Sequence, residues 1–155
     1  MQESSSMEVH PIGTVRSPYT STGSIPLCAS EKLDEEATVQ VLPECVEGLA
    51  DLDGFSHVIL LVHMHKATTT KLTVHPPVDD SGMARGVFAT RSPLRPNHIG
   101  LSIVELVRIE GGEMHVRGID LLDGTPVLDI KPYTPYDARS PVVIGWLEGR
   151  AAPQG

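Results

Sequence analysis

The sequence predicts an all-β domain, mainly antiparallel, closed into a small barrel. Three observations carry this: about seven short runs rich in Val, Ile and Leu succeed one another, Gly and Pro punctuate the gaps, and helical periodicity is nearly absent. Closure is the economical arrangement because it leaves no strand edge unpaired.

The runs fall at 9–16, 37–42, 56–65, 86–91, 101–110, 114–120 and 142–146. Residues 43–52 form the one expected short helix: Pro43 suits a first turn, Val46, Leu49 and Leu52 recur at every third position, and Gly54 follows the stop. Gly111-Gly112, between Ile109 and Met114, is a tight-turn dipeptide that pairs 101–110 with 114–120 antiparallel. Two long connections, 20–36 and 67–84, have the length at which loops are functional or mobile. The expected domain is 9–147, with flexible ends at 1–8 and 148–155.

A chain of 155 residues, 40% hydrophobic and 21% charged, suits one soluble globular domain. No apolar run reaches the roughly 18 residues that cross a bilayer, and no basic-then-apolar leader opens the chain, so the cytoplasm is the expected compartment. Cys28 and Cys45 read as reduced residues. A net charge of −8 argues against broad nonspecific nucleic-acid binding. The charge is segregated, however: Arg85, Arg91, Arg95 and Arg108 lie close together, while acids gather at 31–36, 44–53 and 79–80. No glycine-rich strand-to-helix loop occurs, which excludes the parallel-sheet dinucleotide and P-loop classes.

The string GVFATRSPLRPNHIGLSIVEL at 86–106 sets Arg91, Arg95, Asn97 and His98 between two strand-like runs, placing donors beside a core as an anionic ligand requires. The string GIDLLDGTPVLDIKPYTPY at 118–136 supplies Asp120, Asp123 and Asp129 among leucines. Residue patterns alone leave a plainer alternative, in which Arg91 pairs with an acidic neighbour and Asp123 caps the Gly124-Thr125 turn. Pro93 and Pro96 stiffen the loop that carries Arg95 and Asn97, suiting it to substrate contact or to capping a barrel end. His57, His63 and His65 share one strand face by their even spacing. A zinc site completed by His75 or an aspartate is conceivable, but no spacing fixes the further ligands, and the plainer reading is a polar strand end. Tyr133 and Tyr136 either stack on a base or pack as ordinary amphipathic residues. Cys28 has no basic cluster or paired histidine to make it a nucleophile.

With PIGTVRSPY at 11–19 and GFSHVILLVHMHKA at 54–67, these strings resemble, in order, the TsaA-like (TrmO-type) family of β-barrel tRNA (adenine-N6)-methyltransferases that use S-adenosylmethionine. The likeness covers most of residues 9–137. It implies cofactor contacts from His65, Lys66, Arg91, Leu101, Asp120, Leu121, Leu122 and Asp123, and from Pro26, Leu27 and Cys28, which stand where bacterial members have Pro-Arg-Gln. Arg95, Asn97, Tyr133 and Tyr136 are the candidate substrate-binding positions, Asp123 is the candidate group to orient the amine proton, and no metal is expected. The implied partners are tRNA and a second copy of the chain, with the cofactor near the interface. The implied acceptor is the exocyclic amine of an adenine, threonylcarbamoyl-modified, beside the anticodon. His98 departs from the usual Pro-Asn-Pro, and the expected form is a short one without the C-terminal domain of longer members. The rival expectation is a noncatalytic S-adenosylmethionine-binding or sensing module, and a metal-dependent small-molecule barrel comes third.

Overall fold

The computed structural model describes residues 5–25 and 34–150, so Pro26, Leu27 and Cys28 lie outside the described residues. Eight strands form among them: β1 (Gly13–Arg16), β2 (Glu36–Val41), β3 (His57–His63), β4 (Thr73–Val74), β5 (Arg85–Gly86), β6 (Ile99–Glu110), β7 (Glu113–Arg117) and β8 (Pro126–Pro132). Six close a barrel in the order β1-β2-β7-β6-β3-β8, with β8 returning to β1; β4 and β5 pair separately. All pairings are antiparallel.

Alternation along the strands builds the core. Val58, Leu60 and Val62 of β3, Val39 of β2, Val104 of β6, Met114 and Val116 of β7, Val15 of β1 and Val127 of β8 are all at most 1% exposed. They fill the barrel interior with side chains, each worth roughly 1.5–3 kcal/mol on burial. The expected hairpin is present, with Glu110 opposite Glu113, Ile109 opposite Met114, and Gly111 at φ 60°, a left-handed conformation that glycine adopts without strain.

The expected helix is also present, wound as a 3₁₀ helix over Pro43–Leu49 and followed by a second turn at Leu52–Gly54. Three-residue spacing of Val46, Leu49 and Leu52 is the 3₁₀ period, and Leu49 and Leu52 are its buried residues. Three strand expectations need correction. Of 86–91, only Gly86 joins a ladder, and Val87–Ala89 is a 3₁₀ turn. Residues 142–146 are not a strand: the barrel closes without them, and they lead into the 3₁₀ turn Gly145–Leu147. β8, in turn, was not among the expected runs. Its register shifts between Leu61 and Val62 of β3, with Leu61 opposite Asp129 and Val62 opposite Val127, so Leu128 is an extra residue that breaks the period of two.

Candidate functional site

A cleft of about 760 Å³ opens where β3 ends and β6 begins. The register sets this junction: His63 pairs with Ile99, and the Met64 N–H extends the ladder by donating to the His98 carbonyl at 2.8 Å. Met64, His65 and Lys66 arrive from β3, and Ile99, Gly100 and Leu101 from β6. The 90–95 loop contributes Thr90, Arg91, Pro93, Leu94 and Arg95, and the segment before β8 contributes Asp120, Leu121, Leu122 and Thr125. Residues from the two long polar strings, distant in sequence, thus share one concave surface.

The loop carrying Arg91 is held from within. Nη1 of Arg95 donates to the Thr90 carbonyl at 2.8 Å and to those of Ser92 and Val87 at 3.3 and 3.5 Å, while the Thr90 hydroxyl donates to the Val87 carbonyl at 2.8 Å. Arg91 itself is exposed and pairs with no carboxylate among the described residues. The plainer alternative for this arginine, an ion pair, is therefore absent from the described part of the chain. At the loop's end Asn97 and His98 both take positive φ, 63° and 49°. Two successive non-glycine residues in that region cost of order 1–3 kcal/mol each, and His98 offsets part of this through its Nδ1 contact with the Pro93 carbonyl at 2.8 Å.

The facing wall is acidic and ordered. Ser102, 2% exposed on the inward face of β6, donates to Oδ1 of Asp120 at 2.5 Å. Ser17 donates its hydroxyl to the Leu121 carbonyl at 2.7 Å, and the Leu122 carbonyl accepts the Thr125 hydroxyl at 2.7 Å. Asp123 belongs to this scaffold and does not line the cleft: Oδ1 accepts the Ser17 N–H at 3.2 Å and Oδ2 lies 3.9 Å from Arg16. Asp120 is the carboxylate the structure brings to the cleft. Burial pushes the His65 imidazole below its ordinary pKa, with the neighbouring Lys66 and His63 adding to the shift.

Of the expected substrate positions, Arg95 lines the cleft, with Nη1 engaged by its own loop. Asn97 does not line it. Tyr133 packs edge-on against His57, and its N–H donates to the His57 carbonyl. His57 and His63 bound β3, about 20 Å apart at roughly 3.3 Å per residue, so Tyr133 sits at the other end of the barrel wall from the cleft. Tyr136 is 85% exposed just beyond it. Among the described residues no group of three or more His, Cys, Asp or Glu is placed to hold a metal. Sequence reasoning missed Ser102, although a lone hydroxyl in the inward series Ser102, Val104, Leu106 was a visible signal. It also missed the apolar walls of Met64, Leu94 and Ile99.

Residues 14–138 match the tRNA-methyltransferase O N-terminal domain. A Pyrococcus abyssi protein described as a probable S-adenosyl-L-methionine-binding protein is 50% identical over 89% of this chain and 74% of its own length. The human tRNA (adenine(37)-N6)-methyltransferase is 36% identical over 91% of this chain but only 33% of its own. A crystal structure of TrmO from Pseudomonas aeruginosa superposes with a TM-score of 0.76 at 41% identity, covering 92% of this chain and 63% of that one.

Proposed function

The chain belongs to the family of the tRNA-methyltransferase O N-terminal domain, and we propose that it transfers the methyl group of S-adenosylmethionine to N6 of an adenine beside the tRNA anticodon. The observation that carries this is the cleft itself, with Arg91, unpaired with any carboxylate among the described residues, on one side and Asp120 on the other. A volume of about 760 Å³ is in the range of small-molecule sites, and the donor set fits the cofactor. Arg91 suits its carboxylate, Asp120 its ammonium or sulfonium, and Leu101, Leu121 and Ile99 its flat adenine. When bound, the cofactor supplies a methyl group already activated by positive sulfur. The chain's task would then be alignment: Arg91 and the apolar wall would hold the cofactor so that N6 meets the methyl carbon in line with sulfur, and an acceptor on the chain would take the N6 proton. Asp120, fixed by Ser102, is the acceptor we place nearest that proton.

The finer reading is that the acceptor adenine carries a threonylcarbamoyl group. Its N6 is then urea-like and a weak nucleophile, which raises the value of a fixed carboxylate. The reaction puts the protein with its tRNA in the cytoplasm; no helix among the described residues is long and apolar enough to cross a membrane. Radiolabelled methyl transfer to tRNA with and without the threonylcarbamoyl group tests both levels. Label on neither tRNA, despite saturable cofactor binding, favours the second reading, a binding module, which the description of the Pyrococcus relative supports.

We also propose that the protein is a homodimer through the outer face of β3 and β6. Register places Ile59 opposite Ile103 and Leu61 opposite Leu101, and Ile99, Leu101 and Ile103 are 46%, 43% and 40% exposed. Such a continuous apolar block on an outer face marks an association surface. Sedimentation at micromolar concentration is expected to give a dimer, and Ile103→Glu a folded monomer. A monomeric wild type would end the proposal.

A further inference from the structure

Phe88 lies in the 3₁₀ turn Val87–Ala89 and is 74% exposed. It is one of two phenylalanines in a chain that is only 4% aromatic. Everything around it is fixed. Val87 is 1% exposed, and its N–H donates to the Leu72 carbonyl at 2.9 Å. The Ala89 carbonyl accepts the Trp146 indole N–H at 2.7 Å. Trp146 is held in turn by Arg85 and Arg150, whose guanidiniums lie 5.2 and 6.0 Å from its ring centroid. Both arginines converge on Asp79, at 2.7 and 3.0 Å, and the Asp79 side chain is only 1% exposed. Hydrogen bonds from Arg85 and Ser81, with a further one from Arg150, hold its carboxyl well below the usual carboxylate range. The tail of the chain thus straps the turn down while leaving one phenyl ring in water.

A rigidly presented aromatic next to a cationic cleft has a chemical counterpart. Between Met64 and Val104 the chain carries Lys66, Lys71, Arg85, Arg91 and Arg95 against only Asp79 and Asp80, although its net charge is −8. Setting aside the paired Arg85 and Asp79 leaves Lys66, Lys71, Arg91 and Arg95 against Asp80. Phe88 is two residues from Thr90 and three from Arg91, which line the cleft. Single-stranded RNA offers phosphates to the cations and a flat base to the ring, and unstacked loop bases are recognised by stacking on aromatic side chains.

We propose that Phe88 is a stacking platform for a nucleobase of the RNA, the neighbour of the nucleotide that enters the cleft. The proposal rests on the tRNA reading above. A protein partner is the alternative occupant; the excess of Lys and Arg over Asp in residues 64–104 favours RNA.

The test uses the full chain and a labelled anticodon stem-loop RNA. Affinity for the RNA is read by fluorescence anisotropy, affinity for S-adenosylmethionine by calorimetry, and mass by sedimentation. Phe88→Ala and Phe88→Leu are expected to weaken RNA binding about ten-fold, and Phe88→Trp to preserve it, with cofactor affinity and oligomeric state unchanged. Unchanged RNA binding in Phe88→Ala, wild-type binding by Phe88→Leu, a shift in oligomeric state, or no RNA binding by the wild type overturns the platform. The two readings fail separately. RNA binding that depends on Phe88 without methyl transfer sinks the transferase alone. Transfer to tRNA with an unaltered KM in Phe88→Ala sinks the platform alone.

Discussion

Arg91→Ala is expected to weaken binding of S-adenosylmethionine by about 10- to 100-fold, the size of one charge-assisted hydrogen-bond pair at roughly 1.5–3 kcal/mol. The expectation rests on what the guanidinium does not do: it pairs with no carboxylate among the described residues, so its removal leaves no internal charge stranded. The backbone on either side, at Thr90 and Ser92, is pinned by Arg95, so the arginine is presented to a ligand without an ordering cost at binding. Because Arg91 is exposed, the variant should melt at the wild-type temperature. Arg91→Lys should recover only part of the affinity, since an ammonium cannot make the forked contact with a carboxylate. Calorimetric titration decides the matter, and undiminished affinity in Arg91→Ala would remove this residue from the cofactor site.

The polar strings were legible because they are local. GVFATRSPLRPNHIG holds the loop arginines in fifteen consecutive residues, and DLLD holds the opposing acid, so residue chemistry was readable before any fold was known. Which acid faces the cleft was not legible. Asp120 and Asp123 lie three apart in a non-repeating segment, and the choice depends on Ser17 and Ser102, which reach them from 106 and 18 residues away. β8 was hidden for a related reason. Its extra residue Leu128 puts Val127 and Ile130 out of phase, and the shift is defined by the partner strand β3. The 142–146 run failed the opposite way: Val142 and Val143 have strand-forming side chains, but they join no ladder among the described residues and are 67% and 89% exposed. Arg95 illustrates the limit of reading a charge as a ligand contact, since part of its guanidinium serves as a cross-link within its own loop.

Gly13→Ala is expected to cost about 2–3 kcal/mol, a fall of roughly 5–10 °C in melting temperature for a domain of this size. A Cβ at Gly13 would lie 2.6 Å from the Gln40 carbonyl oxygen and 3.2 Å from the Val41 Cα, both backbone atoms that cannot swing aside. The location amplifies the clash. β1 closes the barrel, meeting β8 through only two register pairs, Gly13 with Val127 and Thr14 with Pro126. Pushing β1 from β2 therefore strains the weakest seam. The effect should also reach the cleft, because Ser17, immediately after β1, holds the Leu121 carbonyl and the Asp123 carboxylate that order the acidic wall. Cofactor affinity should fall along with stability, although Gly13 does not line the cleft. Gly48→Ala is the control, since its added methyl meets nothing within 4 Å, and it should leave both melting and cofactor titration near wild type. Equal melting temperatures for the two variants would show that β1 can shift without cost, and that the closing seam is looser than its hydrogen bonds imply.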